Sequence, residues 1–551
     1  MNRAHRQSDW RSPWSRLMMG VVAAALAVAV GAALVATGSA IPAAAATPRD
    51  TLVIGMSTGI LITLDPAAVY EVEGAVIVDQ LYDKLVELAM VDGHIEVVPE
   101  AAETWQLADD GVTWTFFIRE GMRFPSGRPI TAHDVEYSIR RAVRLNRGPA
   151  WLLNQIGFTP DNVTDTVRAL DERRLQLRVS QPFAPNLVLS ILTFPLTSIV
   201  DREVVEAHLT AGDLATDYLK DHSAGSGPYR LVRWEPNQIV ELEANPTYWR
   251  GAPPIRRIII RDMPEPSAQR LAIERGDIDV AWSLTPLMRK ELTAQGRTDL
   301  RVVRVPGHGI EYLAMNVKYE PLSHPKVREA IRWAIDYDAI LDDILLGEAI
   351  PLQTFIPTGY FGHNPARPYT RDVERARQLL AEAGYPNGFA VELVTNTGSA
   401  TRADVAQIIQ SNLADIGIRV QITLMQAGPM YEKYREQGLQ MIVAGWGVDY
   451  PDPDALAKPF ADGSVRQLAW RNAWYDEEAT RLTAEAMVER NSQRRQALYQ
   501  QLTELVLHEG PFAILYQPVN AWVVRSNVQG FEEAAALGTM HFDMTRVRKA
   551  G

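Results

Sequence analysis

The chain has 551 residues, with 55 Lys and Arg against 67 Asp and Glu, a formal net charge of −12 and no cysteine. That length exceeds one small core and suits two or three lobes, and the acidity argues against a nucleic-acid binder, which needs basic surface opposite phosphates. Without cysteine there is no disulfide, no thiolate metal site, no cysteine nucleophile and no lipid attachment at a cysteine behind a leader.

At the N-terminus Arg3, Arg6, Arg11 and Arg16 precede an uncharged apolar run, Leu17 to Ala36, and then a small-residue segment ending Ala44-Ala45-Ala46. This pattern predicts a secretory signal peptide over residues 1–46, cut after Ala46. A retained anchor is the alternative, since a run of about 20 residues just spans a bilayer. Its alanine and glycine content is weakly hydrophobic, and a cleavage site follows. No second stretch is apolar enough to cross a membrane.

Thr51 to Ser57 reads as the first strand, followed by a loop to Pro66 and a helix from about Glu73 to Leu85, with Ala75, Val78, Leu81, Tyr82 and Leu85 at spacings of three and four. Trp114 to Ile118 is an extended run. Phe124-Pro125-Ser126-Gly127 turns, and Thr131 caps a helix with Asp134 in its first turn and Val135, Ile139, Ala142 and Val143 on its apolar face. Residues 146–223 mix helices and strands. They include the Pro-punctuated loop Gln181 to Asn186 ahead of an apolar helix.

The stretch Gly225 to Trp282 follows, reading GSGPYRLVRWEPNQIVELEANPTYWRGAPPIRRIIIRDMPEPSAQRLAIERGDIDVAW. Gly225-Ser226-Gly227-Pro228 is a turn. Tyr229 to Trp234 and the alternating run Ile239 to Ala244 form a hairpin. The three consecutive isoleucines Ile258 to Ile260, within Ile255 to Arg261, suit a strand covered on both faces. A helix runs from Pro266 to Gly276, and Asp277 to Trp282 is a last strand. This ordered run resembles the core of the extracellular solute-binding proteins of the dipeptide/oligopeptide/nickel type, the periplasmic receptors of bacterial ABC importers. The segment FPSGRPITAHDVEYSIRRA resembles a second box of that family; bottom-up it is a capped helix entering an accessory lobe.

Further along, Tyr312 to Val317 reads as a strand, and Ser323 or His324 precedes a helix opened by Pro325. Pro306-Gly307-His308-Gly309 is the candidate hinge crossover. Asp372 to Gly384 and Arg402 to Ile416 are helices alternating with the strands Val391 to Val394 and Ile418 to Leu424, which predicts a mainly parallel sheet. Gln517 to Val524 crosses back. The resemblance implies an α/β fold like the type II periplasmic-binding proteins, with two large lobes, a cleft and a hinge, plus a smaller accessory lobe. The boundaries are 47–90, 224–305 and 520–551 for lobe I, 91–223 for the accessory lobe and 306–519 for lobe II.

Met441 to Ala455 (MIVAGWGVDYPDPDA) carries the sharpest candidate. Asp452 at an N-cap and Pro453 at N1 give a complete helix start, which leaves Asp449 free. In peptide-binding members of the family, an aspartate at the matching place of this W-x-x-D pattern pairs with the ligand's α-ammonium. The alternative is a solvated turn residue. Trp446 and Tyr450 are candidate cleft walls, as are Trp282 and Asn316, against plain packing for each; Ser57 to Gly59, Trp470 and Trp474 are weaker candidates. No arginine sits in a context that carries over the ligand-carboxylate role.

Ten histidines are scattered without metal spacing, and there is no P-loop, G-x-S-x-G or S-x-x-K box. No cofactor, metal or catalytic residue is therefore expected. Asp277 and Asp279 read as solvated or turn residues. The expected function is a monomeric, free periplasmic, non-enzymatic receptor. It would close on a peptide-like or other small polar solute and deliver it to inner-membrane ABC permease subunits. The rivals are a secreted hydrolase, and a periplasmic peptide chaperone or sensor on the same fold.

Overall fold

The computed structural model describes residues 47–550 apart from Ile60, Gly93, Ala211, Thr539 and Met540. The leader predicted over residues 1–46 lies outside the described residues. Among those described, one sheet of twelve strands runs through both large lobes and a four-stranded sheet forms the accessory lobe.

The first lobe is built on the strand Thr51–Met56, buried along its whole length. It pairs in parallel with Arg257–Asp262 and with Val280–Ala281. The hairpin Tyr229–Glu235 and Ile239–Ala244 extends the sheet antiparallel to Arg257–Asp262. Ile258 and Ile260 face the main core of this lobe, and Ile259 packs half-buried on a smaller cluster on the other face, as the isoleucine run predicts. The helix Pro266–Arg275 ends at Gly276, which takes a left-handed φ of 85°.

Two expectations shift here. The helix after the first strand is Val72–Leu81 rather than running to Leu85. It stops because the Gly227 N–H donates to the Leu81 carbonyl at 3.0 Å, so the turn of the later stretch seats directly on the helix end. The strand expected over Asp277 to Trp282 is only Val280–Ala281. Asp279 is not solvated: its carboxylate is fully buried and accepts from the Val53 N–H at 2.8 Å and from Lys549 Nζ at 2.9 Å. It ties the first strand to the C-terminus, and its charge is matched inside the fold.

In the second lobe Ala390–Asn396 runs parallel to Arg419–Met425 and to Met441–Gly447. Gly309–Met315 is antiparallel to Met441–Gly447, so the sheet is mixed rather than mainly parallel. The reason is the crossing strand Phe512–Arg525. It pairs antiparallel with Gly309–Met315 in one lobe and with Leu300–Pro306 in the other. Leu300–Pro306 and Gly309–Met315 therefore run in one direction across the junction and Phe512–Arg525 returns. At the crossing the Gly307 N–H donates to Pro518 O and Gln517 Nε2 donates to Gly307 O, both at 2.8 Å. Two strands joined by few bonds at one narrow place are the geometry a hinge requires.

The accessory sheet comprises Ala102–Leu107, Thr113–Ile118, Arg174–Arg178 and Val167–Ala169. The helix Ala132–Leu145 packs on it, and the Asp134 carboxylate accepts from the Thr131 N–H at 2.9 Å, closing the expected capped start. One continuous apolar cluster includes Phe116 and Ile139 of this lobe together with Tyr312 and Phe460 of the second large lobe. The accessory lobe thus packs across onto lobe II, and the Ala184 N–H bonds the Met487 carbonyl at 3.0 Å.

Candidate ligand site between the lobes

The strand Met441–Gly447 ends at the crossing, where the Val448 N–H donates to His308 O at 3.0 Å. The chain then turns through Asp449 and Tyr450 into the helix Asp454–Ala461. Asp452 is not the N-cap expected of it; Pro453 holds that position. Asp452 is instead buried in a two-bond pair with Arg495, at 2.8 and 2.7 Å, while it also accepts from the Asp454 N–H at 3.0 Å. The fork geometry of Arg495 satisfies both oxygens while the carboxylate still accepts the first helical N–H, that of Asp454.

Asp449 is differently placed. It lines a cavity of about 160 Å³ at the crossing, walled also by His308, Tyr360, Pro518, Asn520 and His541. No lysine or arginine lines this cavity. The carboxylate accepts one bond, from Tyr70 Oη at 3.2 Å, and Tyr70 in turn accepts from Trp151 Nε1 at 3.2 Å. Burial raises the Asp449 carboxyl from 3.8 to about 6, against the Tyr70 hydrogen bond, which lowers it. Burial lowers the His308 imidazole to about 4 and the His541 imidazole to about 3, so both are neutral near pH 7 and supply no positive charge. His308 Nδ1 and the Tyr360 hydroxyl share a bond of 2.7 Å.

The other sequence candidates divide. Tyr450 lines the same cavity, but its side chain is only 2% exposed and its hydroxyl is engaged elsewhere. It donates to Asp454 Oδ2 at 2.9 Å and accepts from Gln155 Nε2 at 3.3 Å. Lys458 Nζ holds the other end of that amide at 3.2 Å, so Tyr450 belongs to the seam between the accessory lobe and lobe II. Trp446 is half-buried on the lobe II core, with the Arg471 guanidinium 5.9 Å from its ring and Phe460 edge-on at 6.5 Å. It does not line the cavity beside Asp449.

Trp282 and Asn316 are placed away from that cavity. Trp282 packs against Trp522 and Phe542, with ring centres 5.4 and 5.5 Å away, inside lobe I. Asn316 is 1% exposed and donates to the carbonyls of Gln437 and Leu439 at 3.1 and 2.9 Å, while accepting from the Lys318 N–H at 3.0 Å. Its amide staples two segments and has nothing left to offer a ligand. Thr58, in the Ser57 to Gly59 loop, anchors on Asp262 through both its N–H and its hydroxyl. Trp474 is buried, and Trp470 stacks with Arg466.

Tyr70, Trp151, His308, Tyr360 and His541 enter the site unannounced by any motif. His308 alone carried a signal, as the polar residue inside the Pro-Gly-His-Gly crossover. A cation for a ligand carboxylate is not evident either: Arg402 is already held by Glu311, with two bonds of 2.8 and 2.7 Å. Among the described residues no group of three metal-ligating side chains converges, and no helix is long and apolar enough to cross a membrane.

The same architecture recurs in known proteins. HbpA2 from Haemophilus parasuis superposes with a TM-score of 0.76 at 25% identity, over 91% of this chain and all of that one. The substrate-binding protein CtaP of Listeria monocytogenes superposes at 0.79 with 19% identity, over 91% and 99%, a likeness of fold. In sequence, the chain is 27% identical to the probable D,D-dipeptide-binding periplasmic protein DdpA of Escherichia coli K12, over 88% of this chain and 92% of that protein. It is 28% identical to the glutathione-binding protein GsiB of Salmonella typhi, over 90% and 93%. Residues 96–467 match the family described as bacterial extracellular solute-binding proteins, family 5 Middle. With two lobes joined by a double crossing, an accessory lobe and a cavity at the junction, the chain belongs to the family 5 extracellular solute-binding proteins.

Proposed function

We propose that this receptor captures a peptide-like or other small polar solute through a cationic amine, and hands it to the permease subunits of an ABC importer in the inner membrane. It works as a monomer, free in the periplasm after removal of residues 1–46. The observation that carries the amine preference is Asp449, a part-buried carboxylate facing the junction cavity with one tyrosine hydroxyl as its bonded partner among the described residues. A buried acid without a counter-charge is costly, and an incoming ammonium supplies the missing charge and a directional bond. Peptide names among the relatives, dipeptide and glutathione included, support the same solute class.

Lobe I and lobe II meet beside the cavity through Tyr70 to Asp449, a contact that exists only when they are together. A ligand bound between them is therefore favoured by, and favours, the closed arrangement. The test pairs native mass spectrometry of ligand carried through purification with calorimetry of the identified solute. Asp449→Asn should weaken an amine-bearing solute by about 2 kcal/mol, some thirtyfold, with the fold intact. Unchanged affinity removes Asp449 from the site. A carried solute without any amine or other cation overturns the solute class, and the absence of thermal stabilisation by any peptide or amine overturns the receptor assignment.

A further inference from the structure

Beside the junction cavity lies a larger one, of about 410 Å³, built from lobe I, namely the helix Val72–Leu81, the strand Val86–Val91, the turn around Tyr248 and the C-terminal segment, together with Glu100 at the start of the accessory segment. The two share Leu88, Leu537 and His541 as common wall. Its charged lining pairs off in a definite way. Lys84 Nζ is held by Asp79 Oδ1 at 2.6 Å. Arg250 is held by both oxygens of Glu87. Arg546 Nε is held by Asp543 Oδ2 at 3.0 Å. His541 stays neutral, because burial and the nearby Lys84 charge lower it to about 3. Every cation of the wall is thus matched by an acid, and two acids remain: Glu533 at the exposed rim and Glu100 inside.

Glu100 is the informative one. It is 5% exposed, and one of its oxygens accepts the Lys84 backbone N–H at 2.9 Å. Its other oxygen has no hydrogen-bond partner, and no ion pair reaches it among the described residues, although it lines an open chamber. Burial raises its carboxyl well above the usual range; the Lys84 charge, which is bonded to Asp79 instead, opposes this, and the carboxylates of Glu87 and Asp83 reinforce it. Buried carboxylates are ordinarily hydrogen-bonded on both oxygens and paired with a cation.

We propose that this lobe I chamber is a second binding site, for an organic cation such as a primary amine or a guanidinium, with Glu100 as its counter-charge. The lining holds two more acidic groups than cations, which disfavours anions and leaves a zwitterion's carboxylate without a free cation to meet, and an incoming cation favours the ionised form of Glu100. Since none of its lining residues comes from lobe II, the site does not depend on closure of lobe II onto lobe I. It is thereby independent of Asp449.

The experiment is calorimetry on the mature protein with 1-butylamine and methylguanidinium as cationic probes, and 1-butanol and butyrate as neutral and anionic controls of similar size. The expected result is binding of both cations and of neither control. Measured in an Asp449→Asn background, which removes amine binding at the junction cavity, Glu100→Gln, which keeps the shape and the acceptor for the Lys84 N–H, should weaken both by about tenfold or more. A crystal soaked with methylguanidinium should show it against Glu100, which keeps the question decidable if Glu100→Gln fails to fold. Equal binding of 1-butanol, no effect of Glu100→Gln, or a soaked chamber that holds water only overturns the proposal. Loss on Asp449→Asn in place of Glu100→Gln puts the probe in the junction cavity, which defeats the lobe I site and leaves the receptor's proposed function standing.

Discussion

The stretch Gly225–Trp282 folds against a buried aspartate, the stretch Met441–Ala455 carries a part-buried one, and the two aspartates have opposite surroundings. Asp83, against which the first stretch folds, is fully buried and receives Ser226 Oγ at 2.6 Å, Tyr248 Oη at 3.1 Å and Trp249 Nε1 at 3.2 Å. All three donors come from within that stretch. Asp449, in the second, receives one tyrosine hydroxyl from another lobe. A carboxylate that collects three donors is a staple for the chain around it. One left with a single weak bond, with burial raising its pKa, has capacity to spare for something that is not part of the chain. Within the second stretch the contrast recurs over three residues, since Asp452 is saturated by Arg495.

The largest effect expected on the scaffold side is at Gly227. An added Cβ there lies 2.5 Å from the Leu81 carbonyl carbon and 2.6 Å from the Tyr82 nitrogen, both backbone atoms that cannot swing aside. Gly227→Ala should destabilise lobe I by up to about 3 kcal/mol, read as a lowered denaturant midpoint, while the folded fraction binds solute with unchanged affinity. Asp449→Asn should do the reverse. If Gly227→Ala weakens the affinity of the folded protein, the two stretches do not divide the labour in this way.

The next effect is a pH dependence that belongs to Asp449 alone. Its folded pKa of about 6 lies above the unfolded value of 3.8, so the folded state holds the extra proton between them. The unliganded protein therefore loses stability from this group as pH rises from about 4 to 6, and no more above that. An ammonium needs the ionised form. Affinity should fall about tenfold per unit, or 1.4 kcal/mol, as pH drops below about 6, and be flat above it. Calorimetry of an amine solute between pH 4.5 and 8 reads this. A flat profile in the wild type, or a sloping one in Asp449→Asn, breaks the assignment.

Most of the scaffold is legible in the sequence, because scaffold elements announce themselves locally. The alternation over Ile239–Ala244, the Pro266 start and the Gly276 stop are each set by neighbours within a few residues. The errors arise where distant segments decide. The helix Val72–Leu81 is cut short by a turn some 146 positions later, at Gly227. Asp452 stands one residue before the N-cap and is claimed by Arg495 as well as by the Asp454 N–H, and Asn316 is consumed by Gln437 and Leu439. The site fares similarly. Asp449 is readable because a complete helix start beside it makes it redundant, whereas Tyr70 and Trp151 reach it from positions 379 and 298 residues away in sequence, which no local spacing encodes.

The smallest effect separates those two aromatics from plain packing. Tyr70→Phe keeps the ring and removes the hydroxyl that donates to Asp449 and accepts from the Trp151 indole N–H. The direct loss in solute affinity near pH 7 should be modest, about 0.5–1.5 kcal/mol. The sharper readout is the pH midpoint. The Tyr70 bond lowers the Asp449 pKa, opposing burial. Without that bond the carboxyl rises further, and the pH below which affinity declines moves upward from about 6. A purely structural role for Tyr70 would change affinity or melting temperature and leave that midpoint where it is. A midpoint that shifts upward with little change in affinity at pH 8 assigns Tyr70 the task of keeping Asp449 ionised at the junction.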